Sequence, residues 1–506
     1  IPLTLVVAAN YPLLVEAAAK RDQAVSDKAV TPVFDEILMS PDLTERASIY
    51  LGRVVADGSP VLVPKKIFRE HAHGLGDSGS GKTSLFLCPV IEQLVRSGDC
   101  SVIVLDLKGD SLELLASLES AAEFARKRYG LRMPLRHFSN QADKATFAFN
   151  PLSQVFWTNV DLITRTDTLC GACGLSYGAD YGEGYYSSAN AAILHHALKT
   201  FPNIDNFVGL ADCIGEVIAV ATKRELHPEI RKAGVHVQEV MKSLAACAAL
   251  NVSQSSQHSS AVFRDSINMV EMFQEPQLSY FHLPSTLSPS AAGAIGRLAS
   301  YMLLASATQT RRDIPVYLVI DEFQRMVASN LEYMLQLARS MGVGIILANQ
   351  CMEDLKRRSS NLIPTVEANC RLRQSFAVSC GEDQERLIRS SGVTVDYLAS
   401  SSESIGSDGQ VSESYSEQEQ VVNRLTMNDI LLTTDHPFRS FLKVSRGEGY
   451  SQFGGMTVAI ESAYHISPVE YQRRRKLQWP TGEGTFVPKE TVQEPTIERH
   501  SASKTT

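Results

Sequence analysis

The sequence has no long apolar run. No continuous stretch is apolar enough to serve as a transmembrane helix, and the apolar opening, Ile1 to Ala19, is broken by Asn10, Pro12 and Glu16. That opening also lacks a basic first segment, which sets it apart from a secretory signal. The first residue is Ile rather than Met, which leaves room for an upstream segment, a membrane anchor included. A disulfide framework is missing too. The nine cysteines are scattered, a pattern that suits a reducing compartment. Cys170-x-x-Cys173 has no second pair, which argues against a zinc site there. Finally, there is no excess of positive charge. A formal charge of -8 argues against nucleic acid coating the whole surface, while leaving a local basic pore or stripe open. With 44% hydrophobic and 21% charged residues, most of the chain is expected to fold, and its 506 residues allow roughly two to four domains.

What is present is a phosphate cradle. Gly76-Asp77-Ser78-Gly79-Ser80-Gly81-Lys82-Thr83 matches the P-loop pattern at every fixed position. Its glycines allow consecutive backbone N–H groups to turn inward around phosphate oxygens. Lys82 can then reach the β- and γ-phosphates of ATP, and the Thr83 hydroxyl can ligate Mg²⁺. Leu85, Phe86, Leu87 and Val90 follow with helical spacing, so the loop should open a helix.

The rest of the chain reads as strands and helices arranged about this loop. Residues 1–46 are expected to be helical. Ile49 to Val55 and Val61 to Val63, separated by Asp57-Gly58, read as a hairpin. Val102 to Leu105 is a short apolar strand that suits a buried parallel position, with Asp106, Lys108 and Asp110 at its carboxyl end. A helix follows from Leu112 to about Arg128. Residues 153–275 show weak strand signals and candidate helices near 187–200, 205–222, 232–250 and 261–274. An exposed loop is expected over Tyr177, Tyr181, Tyr185 and Tyr186, and another from Ser253 to Ser260. Strands return at Leu278–Leu283, Pro315–Ile320 and Gly344–Gln350, with a further one near Arg373–Ser379, and helices near 291–307 and 328–340 lie between them. Residues 399–420, rich in Ser, Glu and Gln, read as a flexible or exposed connection. Late strands are expected at Phe438–Val444 and Met456–Ile460. The tail from about 479 reads as disordered, and the basic run Arg473 to Lys476 before it reads as solvated, with contact to nucleic acid or acidic lipid as the alternative. The domains are therefore 1–46, helical; 47–152 and 276–470, two parts of a nucleotide-binding domain; 153–275, an all-helical insertion; and 471–506, a flexible tail.

The chemistry follows from strand ends. Asp321 and Glu322 close an apolar strand. The first carboxylate is placed to hold hydrated Mg²⁺ and the second to polarise the attacking water. An Asp-Glu pair that merely starts a helix is the plain alternative, and the P-loop tips the balance to catalysis. Gln350, at the end of the next strand, can read the γ-phosphate or position the water, since its amide both donates and accepts. For Asp106, Lys108 and Asp110, contact with Mg²⁺-bound water, a neighbouring subunit, DNA or simply solvent all stay open. An arginine supplied across a subunit boundary can be worth about 10³–10⁵ in rate. Arg371 or Arg373 fits that role, and Arg339 suits bracing the sheet. His71 and His73 read as packed or surface histidines, Cys351, Cys370 and Cys380 as small core residues, and Tyr185-Tyr186 as a weak base-stacking candidate.

Taken in order, these residues resemble a family. Tyr50-Leu51-Gly52-Arg53, the P-loop, Asp106-Leu107-Lys108-Gly109-Asp110, Phe149-Asn150-Pro151-Leu152, Leu283-Pro284, Asp321-Glu322-Phe323, Arg339-x-x-Gly342 and Gln350 are similar to the landmarks of conjugative type IV secretion coupling proteins (TraG/TraD-like), within the FtsK/HerA-like DNA-pumping ATPases. The family's acidic segment usually ends in Glu where this chain has Asp110. The resemblance spans about residues 48–460. It implies an α/β RecA-like P-loop domain with an inserted all-helical domain, and a homo-hexameric ring around DNA, expected to be single-stranded. ATP and Mg²⁺ would bind between subunits. Hydrolysis would move DNA or nucleoprotein toward a type IV secretion channel, with a relaxosome or secreted protein as partner. The chain would be a cytoplasmic part, tied to the bacterial inner membrane by a segment outside this sequence. A soluble FtsK/HerA-like motor and a nucleotide-gated recruitment scaffold are the other readings, and intact Lys82, Asp321 and Glu322 weigh against the scaffold.

Overall fold

The computed structural model describes residues 31–479 except 111, 142–143, 145–146, 177–182, 224–227, 253–265, 287, 329–330, 358–359, 406–410, 437 and 446–452. The expectations for residues 1–30, Tyr177, Tyr181, Ser253–Ser260 and the tail from 480 lie outside this set.

Short strands rich in β-branched and aliphatic residues build one eleven-stranded sheet. Its members in chain order are β1 (Ser48–Val54), β2 (Pro60–Pro64), β3 (Ala72–Leu75), β4 (Ser101–Asp106), β5 (Leu135–Ser139), β6 (Leu278–His282), β7 (Val316–Asp321) and β8 (Val343–Asn349). After a two-residue pair, β9 (Lys356–Arg357) and β10 (Ser360–Asn361), come β11 (Leu372–Ser375), the separate hairpin β12 (Val393–Ile405) and β13 (Val411–Asn423), then β14 (Arg439–Val444) and β15 (Thr457–Glu461). The order across the sheet is β2-β1-β15-β14-β11-β3-β8-β7-β4-β6-β5. From β11 to β5 all neighbours are parallel. From β11 outward to β2 they are antiparallel. The mixed sheet flanked by helices is the expected α/β P-loop fold with a helical insertion.

The near-continuous apolar runs of β4 and β7 have a simple cause. Successive side chains point to opposite faces, and both faces are covered. Ile103, Leu105, Leu318 and Ile320 join one core, and Val102, Val104, Tyr317 and Val319 join the other. The second core also takes Leu85, Phe86 and Val90 from the helix after the P-loop. The first is continuous with the insertion through Leu169, Leu194, Phe207, Leu210, Val237 and Met241.

The insertion consists of helices Leu162–Cys173, Glu183–Thr200, Phe207–Lys223 and Pro228–Ala245. The first was not expected. Its Thr- and Asp-rich start hides the apolar face, but Asp161 caps it by accepting from Thr164 N–H and left-handed Gly174 ends it. The candidate helix over 261–274 does not form in its described part. There Ser266 pairs with Ala148 in an isolated bridge and Ile267 N–H donates to the Ala148 carbonyl at 2.8 Å, which returns the chain to the sheet domain. Only a single 3-10 turn, Glu271–Phe273, follows.

Asn150 fastens the base of this insertion. Its side-chain amide donates to the carbonyls of Asp205 at 2.7 Å and Val252 at 2.9 Å. The Gln154 amide bridges Asn150 O and Ile267 O at 3.1 and 3.0 Å.

Two further expectations need correction. Residues 399–401 and 415–420 are exposed as expected, but this stretch belongs to the β12–β13 ladder, in register from Val393↔Asn423 to Ile405↔Val411. Main-chain pairing needs no apolar side chains, and Val393, Val395, Val421 and Val422 supply β-branched residues at its base. The basic run is not simply solvated. Helix Pro468–Arg475 buries Arg474, which is 4% exposed, and its guanidinium donates to Ser117 Oγ at 3.1 Å and Glu470 Oε1 at 2.9 Å.

Candidate nucleotide-binding site

β3 runs straight into the P-loop, and a helix starts at Lys82, first as a wide π-type segment to Leu87 and then as Cys88–Arg96. Gly79 and Gly81 take the left-handed region, with φ of 80° and 94°. At Gly81 a Cβ would also strike the Leu85 side chain at 2.7 Å. Lys82 is buried and donates to the carbonyls of Gly76 and, at 2.8 Å, Asp77. Burial lowers its pKa, opposed by Glu322 and Asp321. Ser80 Oγ is buried with no hydrogen-bond partner and does not line the cavity over the loop.

Sheet register carries the acidic groups to the same place. Asp106 and Asp321 pair across β4 and β7, at the carboxyl ends of both strands. Thr83 Oγ1 donates to Asp321 Oδ2 at 3.2 Å, so the hydroxyl and carboxylate expected to share Mg²⁺ already meet. Burial pushes the Asp321 carboxyl up to about 7, with Asp106 and Glu322 adding to the shift. Glu322 sits at φ 57°, a left-handed conformation that a non-glycine residue rarely adopts. Its carboxylate accepts from Gln350 Nε2 at 3.1 and 2.9 Å and from Gln324 Nε2 at 2.6 Å. Arg325 Nε lies 3.7 Å away.

A cavity of about 430 Å³ opens over these groups, lined by P-loop residues, Asp106, Lys108, Asp110, Glu113, Asp321 and Glu322. Tyr464 and Tyr471 line it as well. Their rings stack with centroids 5.6 Å apart and planes 22° apart, an aromatic surface of the kind on which a base can stack. Sequence reading missed this wall, because only the β14–β15 return brings it to the P-loop. Tyr185 and Tyr186 instead lie exposed on an insertion helix.

The remaining candidates divide clearly. Asp106 is a brace. Its Oδ1 accepts from Lys108 N–H at 3.1 Å and Gly109 N–H at 2.8 Å, and its Oδ2 accepts from Tyr280 OH. Lys108 pairs with Asp110 at 2.9 Å on the cavity wall. His71 and His73 are packed, and burial lowers each to about 4. Arg339 and Arg371 both pair with Glu70, at 3.1 and 3.0 Å. Arg373 lies between His73 and Lys443 in the sheet register and lines a separate small cavity with Glu367, Asp383 and Arg386. None of these three arginines lines the nucleotide cavity of its own chain. Cys370 is buried as expected, whereas Cys351 and Cys380 are only half-buried.

Comparisons with known proteins bear on one segment of the chain and on its fold. Residues 315–434, which carry Asp321, Glu322 and Gln350, match the family described as the TraM recognition site of TraD and TraG. That segment of the chain is similar to TraD and TraG. Among solved structures it is similar to the bacterial conjugative coupling protein TrwB in its unbound form, at 13% identity and a TM-score of 0.54, covering 86% of this chain and 93% of that one. It is also similar to plasmid coupling protein TrwB bound to ADP and Mg²⁺, at 13% identity, TM-score 0.53, and 84% and 92% coverage. A third TrwB structure, bound to a non-hydrolysable ATP analogue, gives 13%, 0.51, and 81% and 89%. At such identity the structural likeness speaks for the fold alone. No curated protein sequence matches. Among the described residues no helix is long and apolar enough to cross a membrane.

Proposed function

We propose that this protein is an ATP-driven coupling protein that delivers DNA or nucleoprotein to a type IV secretion channel. The observation that carries the reading is the meeting of Thr83 with Asp321, beside a Glu322 held by Gln350, at the mouth of a P-loop. The left-handed turns at Gly79 and Gly81, with buried Lys82 on the cavity wall, fit a triphosphate, and the Thr83–Asp321 pair fits Mg²⁺. Mg²⁺-ATP supplies the transferable phosphoryl group. Lys82 would exchange its carbonyl partners for phosphate oxygens and neutralise their charge. Glu322, oriented by Gln350 and Gln324, would accept a proton from the attacking water.

In this reading six copies form a ring around single-stranded DNA at the bacterial inner membrane. Arg373 or Arg371 of a neighbour supplies the cationic wall. The matched segment of TraD and TraG is described by its recognition of TraM. The corresponding part of this chain presents the exposed β12–β13 hairpin, with Tyr397, Tyr415 and Val421 outward, as a surface for a comparable relaxosome protein.

The test is ATP turnover with and without single-stranded DNA, measured alongside oligomeric state. DNA should raise turnover in the ring, and Lys82→Ala should abolish it. Wild-type turnover in Lys82→Ala would sink the phosphate site. A ring whose turnover ignores DNA would sink the DNA-motor reading.

A further inference from the structure

Two segments that serve the nucleotide site meet a second time beyond Gln350. Cys351 directly follows Gln350. Cys380 directly follows Ser379, whose N–H donates to Asp77 Oδ1 of the P-loop at 3.2 Å. Here Cys351 Sγ, Cys380 Sγ and a carboxylate oxygen of Asp383 lie within 4.8 Å of one another. A tetrahedral zinc ion with Zn–S bonds of about 2.3 Å holds two sulfurs roughly 3.8 Å apart. The three ligand atoms therefore need only small side-chain adjustments to close on one ion.

Asp383 supplies an independent sign. It is 1% exposed, and its Oδ2 accepts from Met352 N–H at 3.0 Å. Its Oδ1 is buried without a hydrogen bond of good geometry. The polar neighbours left to that carboxylate are the Cys351 thiol and the Arg386 Nε, 3.9 Å from Oδ1. Arg386 is itself shared with Glu353 at 2.9 Å and Glu367 at 3.3 Å. The Arg386 guanidinium reaches that oxygen only at 3.9 Å and without a hydrogen bond, which leaves the oxygen open to a second, closer cation. Glu382 Oε2 lies 3.6 Å from Cys380 Sγ but outside the group of three, so water would complete the coordination. Both cysteines are only half-buried, so an ion can enter from solvent.

We propose that Cys351, Cys380 and Asp383 bind one thiophilic divalent cation of the Zn²⁺ type. Two thiolates select such an ion over Mg²⁺ or Ca²⁺, and binding releases the two thiol protons without any change of oxidation state. A disulfide between the same cysteines would leave the Asp383 oxygen unexplained. The ion would tie the end of β8, where Gln350 holds Glu322, to the segment after β11 that grips Asp77. The site rests on its own ligands and not on the motor reading.

The experiment uses the full chain, reduced and without nucleotide, titrated with Zn²⁺ against a chromophoric chelator. One equivalent should bind. Cys351→Ser or Cys380→Ser should weaken binding by more than the roughly 10–100-fold lost when a group merely hydrogen-bonded to a ligand is removed. Cys370→Ser should leave it unchanged. In the wild-type chain, which carries no folding risk, Zn²⁺ should protect Cys351 and Cys380 from alkylation while half-buried Cys213 still reacts. Alkylation of Cys351 and Cys380 at the same rate with and without Zn²⁺ would overturn the proposal. So would wild-type affinity in the Cys351→Ser/Cys380→Ser double variant.

Discussion

Gln350 donates its side-chain amide to both carboxylate oxygens of Glu322, at 3.1 and 2.9 Å. The residue at the end of one strand thus sets the aim of the carboxylate at the end of its neighbour, β7 lying parallel to β8. If Gln350 also reads a γ-phosphate, as proposed, it would release Glu322 as it engages the phosphate.

Glu322→Gln should therefore separate binding from turnover. Nucleotide affinity should stay within a few-fold of wild type, while turnover falls by about 10²–10⁴, the range of general-base catalysis. Gln350→Ala, which leaves the carboxylate in place but loosely aimed, should lower kcat less than Glu322→Gln does. Fluorescent-nucleotide binding and phosphate release on the same preparations check both. Parallel loss of affinity and turnover in Glu322→Gln would refute a water-activating role.

Asp321 makes a prediction about stability. Its carboxyl is raised from an ordinary 3.8 to about 7. Between those values the folded chain keeps a proton that the unfolded chain releases, so this group's contribution favours folding at low pH and is lost as pH rises toward 7. Without nucleotide or Mg²⁺, Asp321→Asn should melt above wild type by about 2 °C or more near pH 8, and the gap should narrow toward pH 5. The same variant should lose Mg²⁺-dependent turnover. A variant that melts below wild type at the higher pH would contradict the assignment.

The Tyr464–Tyr471 wall predicts a base-dependent effect. Tyr471→Ala should raise KM for ATP by about 5–100-fold, as expected for 1–3 kcal/mol of stacking. Inhibition by inorganic triphosphate should stay the same, since that ligand has no base to stack. An equal effect on both ligands would move Tyr471 from base contact to general support of the cavity.

Asn150→Ala strips a donor from two carbonyls at the base of the insertion. Each orphaned carbonyl costs about 1–3 kcal/mol. Hydrogen exchange should quicken in helix Phe207–Lys223, next to Asp205, and leave β4 and β7 protected. Uniform quickening across the sheet would mean that Asn150 supports the whole fold.

The parts of this site that could be read from sequence are those built from adjacent residues. The P-loop, Asp321-Glu322 and Gln350 each occupy a strand end, where short-range pattern and chemistry coincide. Tyr464 and Tyr471 reach the cavity only through a long antiparallel return, for which no local signal exists. The β12–β13 hairpin was illegible for another reason: its order comes from main-chain pairing, and its Ser, Glu and Gln side chains give no apolar period. Arg474 looked like a surface charge because its partners Ser117 and Glu92 lie hundreds of residues away. Phe149-Asn150-Pro151-Leu152 could be recognised as a landmark, but its work in joining distant carbonyls could not.

The stitch at Asn150 has an evolutionary reading. Since one amide gathers the outgoing and returning chain, everything between them leaves and rejoins the sheet at nearly one point. Such a segment can be lengthened, trimmed or exchanged for another with little effect on the register of β4 to β8. A lineage could then change what its motor recognises while leaving the engine as it was.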